Sequence, residues 1–195
     1  MEPVILRTAR LELSRPVAAD VDAIFEACQD ADIQRYTTVP TPYARVHAET
    51  FVEKVAANWT DGAHLTWAMR HDGTLVGMIG MYRIDGRGIG ELGYWMARPA
   101  RGKGLLTEAA QAVIDWGFAP EGLDLDRIEW KAIAGNTASA RAARTLGFRY
   151  EGLLRQGLVS QHGRDDGWIA ALLRTDDRER QPWTVLGDPD APVRG

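Results

Sequence analysis

At 195 residues with 45% hydrophobic content, the chain can bury a sizeable core and most simply forms one domain. A formal net charge of -4 and a pI near 5.6 argue against general nucleic-acid binding and are compatible with a cationic substrate without requiring one. No stretch approaches the roughly 20 apolar residues of a membrane span, and Met1-Glu2-Pro3-Val4 lacks the basic and apolar segments of a secretion signal, so a cytoplasmic protein with no membrane or nucleic-acid partner is expected.

Residues Thr8 to Arg15 alternate apolar and polar and predict a first strand, ended by Pro16. Ala19 to Gln29 places Val21, Ile24, Phe25 and Cys28 on one helical face, with Asp20 available as its cap. Cys28 is the only cysteine, so no internal disulfide forms, and its place in that apolar pattern makes it a packing residue rather than a nucleophile. Tyr36 to Tyr43 holds two prolines and reads as a loop, and a second helix follows from about His47 to Trp59. Leu65 to Arg70 and Leu75 to Tyr82 flank Asp72-Gly73, a strong hairpin signal, and Glu91 to Met96 adds a third antiparallel strand. Gly86-Arg87-Gly88-Ile89-Gly90 has part of a dinucleotide fingerprint, but between two strand-like runs a hairpin turn explains it better.

The stretch Arg101-Gly102-Lys103-Gly104-Leu105-Leu106-Thr107-Glu108 joins that third strand to a helix predicted from Leu105 to Phe118. Apolar Leu105, Leu106, Ala109, Ala112, Val113 and Trp116 recur there at spacings of three and four. Gly102 and Gly104 allow a sharp turn and a close approach of a ligand to the backbone. A helix leaves about four N–H groups of its first turn without an intrahelical partner, and its dipole favours a phosphate there by roughly 0.3 to 1 kcal/mol. No Ser, Thr, Asp or Asn lies between Met96 and Leu106 to cap those donors, which leaves them to a ligand or to solvent. A Walker loop is excluded, since Gly102-Lys103-Gly104 has neither its spacing nor its hydroxyl.

Arg127 to Ile133 predicts a strand that, reached through a helical crossover, lies parallel to its predecessor; two such strands diverging beside a helix N-terminus leave a cleft. A helix from Thr137 to Leu146 ends at Gly147, and the last strands run near Tyr150 to Val159 and Gly167 to Leu173. The domain is thus expected over residues 1–174. The tail, 175–195, is charged, contains Pro182, Pro189 and Pro192, and is expected to be mobile. Its apolar cluster of Trp183, Val185 and Leu186 packs either on the domain or on a second subunit of a homodimer, and the sequence does not choose. The four histidines fall in no metal-ligand spacing, so no metal is expected.

The strand, Gly-x-Gly turn, helix and strand are followed by Asn136-Thr137-Ala138-Ser139, Leu146-Gly147-Phe148 and Glu151-Gly152-Leu153-Leu154-Arg155. This ordered set resembles the GCN5-related N-acetyltransferases (GNAT), and within them the RimJ/RimL type that modifies ribosomal-protein N-termini and related amines. The likeness runs from about Thr8 to Leu173. It implies an α/β (α+β) fold, with a central mixed, mostly antiparallel sheet of about six to seven strands flanked by about four helices. It also implies acetyl-CoA as cosubstrate and an amine-bearing acceptor, either a peptide N-terminus or a small molecule.

Carried over residue by residue, the resemblance puts the coenzyme A pyrophosphate on the N–H groups of Arg101, Gly102, Lys103, Gly104, Leu105 and Leu106, with Thr107 beside them. The pantetheine then runs along the strand at Trp95 and Met96 and meets Asn136, and the Ser139 hydroxyl faces the thiol. Two positions depart from the family pattern. Its usual Gln or Arg three residues before the first glycine is Pro99 here, and a tyrosine that many members place four residues after the position of Ser139 is Ala143, which leaves Ser139 as the candidate to stabilise the leaving thiolate. Glu91, at the start of the strand that lines the cleft, is the first choice of general base, directly or through water; its alternative is an ordinary surface carboxylate. A weak base suits an α-amine better than a lysine, because deprotonation at pH 7 costs roughly 1 to 1.4 kcal/mol for a pKa of about 7.7 to 8.0 and about 4.6 kcal/mol for one of about 10.4. A non-catalytic acyl-CoA sensor of the same fold is the other reading these residues leave open.

Overall fold

The computed structural model describes residues 1–161 and 163–188. Its centre is one eight-stranded sheet of β1 (Leu6–Arg7), β2 (Leu11–Ser14), β3 (Leu65–His71), β4 (Thr74–Tyr82), β5 (Ile89–Met96), β6 (Arg127–Ile133), β7 (Arg149–Ser160) and β8 (Gly163–Leu173), in the spatial order β1-β2-β3-β4-β5-β6-β8-β7. Neighbours are antiparallel except β5 and β6, which run parallel because the 14-residue helix α4 (Leu105–Phe118) carries the chain across between them. The remaining helices are α1 (Val21–Ala27), α2 (Ala31–Tyr36), α3 (Arg45–Asp61) and α5 (Thr137–Thr145).

Alternation along the strands divides the core. Ala68 and Met78 pack with Val21, Ile24, Ile33, Ala48 and Val52 of α1, α2 and α3. Their strand neighbours Trp67 and Ile79 point the other way and join Ala109, Val113 and Ile114 of α4 and Ala140 of α5. The β3–β4 hairpin turns at Asp72 (φ 49°) and Gly73 (φ 75°), both in the left-handed region that a two-residue turn matching the twist of the strands demands.

The sheet has one more strand than the sequence predicts, because the expected first strand, Thr8 to Arg15, is the turn and second arm of a hairpin whose first arm, β1, precedes it. Thr8 closes its turn, donating its N–H to the Leu11 carbonyl at 3.0 Å and accepting the Leu11 N–H on Oγ1 at 2.9 Å. Helix α2 was also unforeseen: six residues with a single buried anchor, Ile33, give no periodicity, and the helix is started by Asp30, whose carboxylate accepts from the N–H groups of Asp32 and Ile33. Asp20, expected to cap α1, makes no cap bond to that helix. It accepts from the Val17 N–H at 2.8 Å and receives both Nη atoms of Arg70 at 2.7 Å, tying the α1 entry to β3. Cys28 is buried, and burial pushes its thiol up to about 11, the environment of a packing residue.

The apolar cluster of the tail packs on the domain. Trp183 is 1% exposed, its ring lies 5.6 Å from that of Trp130 and 5.5 Å from that of Tyr150, and its Nε1 donates to the Phe148 carbonyl at 3.0 Å. Asp188 pairs with Arg144 of α5 and accepts the Trp183 N–H at 2.9 Å. Pro189, Pro192 and the other residues of 189–195 lie outside the described residues.

Candidate functional site

β5 and β6 pair from Ile89↔Arg127 to Leu92↔Trp130 and then part, although β5 continues to Met96 and β6 to Ile133. Each keeps its outer neighbour, β4 as far as Gly77↔Met96 and β8 as far as Ile133↔Gly167, so the separation opens only their inner edges. The gap lies in a cleft of ≈1200 Å³ lined by α2 and the loop after it, α3, the ends of β5 and β6, and the first turns of α4 and α5.

At the α4 end, Arg98–Ala100 forms one turn of 3-10 helix, after which Gly102 (φ 75°) and Gly104 (φ 74°) are both left-handed. Gly104 is the N-cap residue of α4 and supplies no side-chain cap. The Glu108 N–H reaches the Gly104 carbonyl at 3.2 Å, whereas the N–H groups from Gly102 to Thr107 meet no acceptor among the described residues. Glu108, the acid of this first turn, is engaged elsewhere: its carboxylate takes Thr8 Oγ1 at 2.6 Å, the Arg10 N–H at 2.9 Å and Arg10 Nε at 2.6 Å.

Two residues of this stretch differ from expectation. The Arg101 N–H is spent on the Arg98 carbonyl at 3.3 Å, and its guanidinium binds Asp30 at 2.7 Å, Asp32 at 3.1 Å and the Met96 carbonyl at 3.1 Å. Arg101 therefore fastens α2 to the end of β5, and the run of unused donors begins at Gly102. The Lys103 side chain is exposed and outside the cleft lining, and its carbonyl accepts from Arg10 Nη1 at 3.0 Å. Gly102, Gly104, Leu105, Leu106 and Thr107 all border the cleft.

Across the gap, Asn136 caps α5 by accepting the Ser139 N–H on Oδ1 at 3.2 Å, and its amide nitrogen has no partner among the described residues. Ser139 Oγ accepts from Trp130 Nε1 at 3.1 Å and donates to the Tyr94 hydroxyl at 3.1 Å; that phenol donates in turn to the Ser139 carbonyl at 3.2 Å. Burial pushes the Tyr94 phenol up to about 12, so it stays protonated at every physiological pH. Met96 is buried, and Trp95, half-buried, points to the other face and packs with the α1–α3 cluster.

That other face carries the charges. Glu91 Oε2 receives Arg83 Nη1 at 2.6 Å and Lys131 Nζ at 3.1 Å, and Lys131 also reaches Glu129 at 2.7 Å. Burial disfavours the Lys131 charge, but the hydrogen bonds and charges of Glu129 and Glu91 outweigh it, so its pKa lies above the ordinary lysine value and the ammonium persists. Glu91 and Ser139 both line the cleft, Glu91 from the sheet face of Trp95 and Ser139 bonded to Tyr94 on the other face. Among the described residues no group of three or more His, Cys, Asp or Glu is placed to hold a metal ion, and no helix is long and apolar enough to cross a membrane.

Sequence reasoning placed Ser139 and Asn136 in the site but assigned no role to Tyr94 or Trp130. Tyr94 lies two residues from each of the buried Leu92 and Met96 and shares their face of the strand. Its hydroxyl partner sits 45 residues away on α5, and nothing local encodes that distance.

A family model described as Acetyltransferase (GNAT) domain matches residues 10–149. The uncharacterized N-acetyltransferase p20 of Bacillus licheniformis is 30% identical over 175 residues, covering 88% of this chain and 97% of that protein. The ribosomal-protein-serine acetyltransferase of Escherichia coli K12 is 33% identical over 93 residues, 47% of this chain and 51% of that protein. In fold, the chain matches RimL, a ribosomal L7/L12 α-N-protein acetyltransferase solved with coenzyme A, at a TM-score of 0.79 and 20% identity over 87% of this chain and 98% of that one. The chain belongs to the GNAT family of acetyltransferases.

Proposed function

We propose that this acetyltransferase moves an acetyl group from acetyl-CoA to the α-amine of a protein or peptide N-terminus by direct attack. The observation that carries this is the run of N–H groups from Gly102 to Thr107 at the positive end of α4, bordering the cleft at every residue but Lys103, without a protein acceptor among the described residues. A diphosphate satisfies such donors, and the free inner edge of β5 with the unpartnered amide of Asn136 continues the path toward Ser139, as a pantetheine arm requires. The activity named for a sequence relative, the ribosomal-protein-serine acetyltransferase, supports a protein α-amine as acceptor, and RimL, a ribosomal L7/L12 α-N-protein acetyltransferase, shares the fold.

In this reading the amine nitrogen, once deprotonated, attacks the thioester carbon. The C–N bond forms, the C–S bond breaks, and the thiolate leaves with the bonding pair. Holding the two reactants side by side supplies much of the acceleration, and a backbone N–H of the open β5 edge near Met96 polarises the acyl oxygen as charge develops. Glu91 takes the amine proton, directly or through water, on Oε1, because Oε2 is committed to Arg83 and Lys131. Glu91→Gln removes that acceptor, so the rate follows the acceptor's own deprotonation and the pH-rate profile moves to higher pH. A superimposable profile leaves water as the base.

The reading is tested by incubating the protein with acetyl-CoA and a panel of peptides differing in their first residue, free lysine and small amines, and reading thiol release. Peptide α-amines are expected to react fastest at pH 7, since they carry the lower deprotonation cost. Coenzyme A alone should raise the melting temperature, because a ligand at about 100 times its Kd adds about 2.7 kcal/mol to stability. No thiol release with any amine and no thermal shift defeats the proposal.

A further inference from the structure

We propose that Tyr94 donates the hydrogen bond that stabilises the departing thiolate and delivers its proton, with Ser139 as the middle member of a one-way donor chain that starts at Trp130. The inference rests on the acetyl transfer proposed above. Its basis is the direction of the hydrogen bonds. An indole nitrogen can only donate, so the 3.1 Å contact from Trp130 Nε1 fixes Ser139 Oγ as an acceptor. The Ser139 proton then lies along its other short contact, 3.1 Å to the Tyr94 oxygen. The phenol oxygen accepts there, and its own proton is left for a third group, at present the Ser139 carbonyl at 3.2 Å.

That last bond is the exchangeable one. Rotation about the phenol C–O bond turns the proton from the carbonyl to a sulphur in the cleft, while Ser139 and Trp130 hold their places behind it. Each donor polarises the next, so the phenol hydrogen bond is strongest when an anion accepts it. Burial keeps the phenol protonated, which suits a donor and rules out a base. When the C–S bond breaks, the sulphur takes the phenol proton. The proton released by the attacking amine, carried out through Glu91 or water, balances the proton that returns to the phenol through solvent. Ser139 does not offer this donation itself, because turning its proton to the sulphur breaks the chain at Tyr94.

Tyr94→Phe keeps the ring and removes the donor. With acetyl-CoA and a peptide that the native enzyme acetylates, kcat should fall roughly a hundredfold, the size of effect that a positioned donor or acid has elsewhere, with KM for acetyl-CoA unchanged. The decisive readout is dependence on the leaving group. With the acetyl thioester of a more acidic aryl thiol, whose anion needs no donor, native and variant kcat/KM should agree within about threefold. Equal slowing with both donors marks a structural role for the ring and overturns the proposal. So does a Tyr94→Phe rate within twofold of native, or a Ser139→Ala variant that shows the larger loss and the same leaving-group dependence. Native enzyme that releases no thiol with any amine overturns the acetyl transfer itself, which keeps the two failures apart.

Discussion

Thr107→Glu should make the protein more stable and weaken its binding of coenzyme A. Thr107 is the third residue of α4, the position from which a carboxylate folds back onto the N–H of the N-cap residue, here Gly104. The acid already present, Glu108, leaves these donors alone because Thr8 and Arg10 hold its carboxylate. A new carboxylate one position earlier caps the turn and meets the helix dipole, a gain of about 0.3 to 1 kcal/mol. The same group takes donors from the diphosphate proposed to sit on this turn and places a negative charge beside it. Losing one charged hydrogen bond costs about 1.5 to 3 kcal/mol, which is a tenfold to more than hundredfold rise in Kd. Thermal melting without ligand and a coenzyme A titration of the same preparations give the two signs. Reduced stability means the turn does not accept the cap, and unchanged affinity means the diphosphate lies elsewhere; Thr107→Gln separates the charge from the bulk.

What made this site legible was local. The left-handed glycines, the missing cap and the amphipathic run of α4 are all encoded within a few residues, so the turn, the helix from Leu105 to Phe118 and the parallel strand after it were predicted with the boundaries observed. The cleft followed from topology, because one parallel pair in an otherwise antiparallel sheet needs a crossover, and the helix of that crossover begins where the pair divides. What stayed hidden depends on contacts between distant segments. Arg101 looked like part of the phosphate turn, but the acids that claim its guanidinium come from α2, about which apolar periodicity says nothing. The Trp130, Ser139 and Tyr94 chain joins two strands and a helix across the fold. Glu91 was legible as a carboxylate on the right strand, but its two cations were not, and they decide which of its oxygens is free.

Composition misleads most in the tail, where Trp183→Ala should lower stability by about 3 to 5 kcal/mol, the usual cost of deleting a buried large aromatic side chain. At this chain length that corresponds to a melting temperature roughly 6 to 20 °C lower. Charge and proline argue for a solvated tail, yet one indole outweighs them. It is 1% exposed between Trp130 and Tyr150, and its N–H satisfies the Phe148 carbonyl at the start of β7. Truncation leaves a cavity and a buried carbonyl without its donor. Trp183→Phe fills most of the space and loses the donor alone, so it should cost about 1 to 3 kcal/mol. The position also bears on the proposed donor chain, because the Trp130 ring that Trp183 packs against carries the N–H bonded to Ser139. At a temperature where Trp183→Phe is fully folded, its kcat should fall while KM for acetyl-CoA holds, since the cradle on α4 is untouched. Stability of Trp183→Ala within about 1 kcal/mol of native, the range of a surface change, shows that the indole is dispensable and the tail a passive appendage.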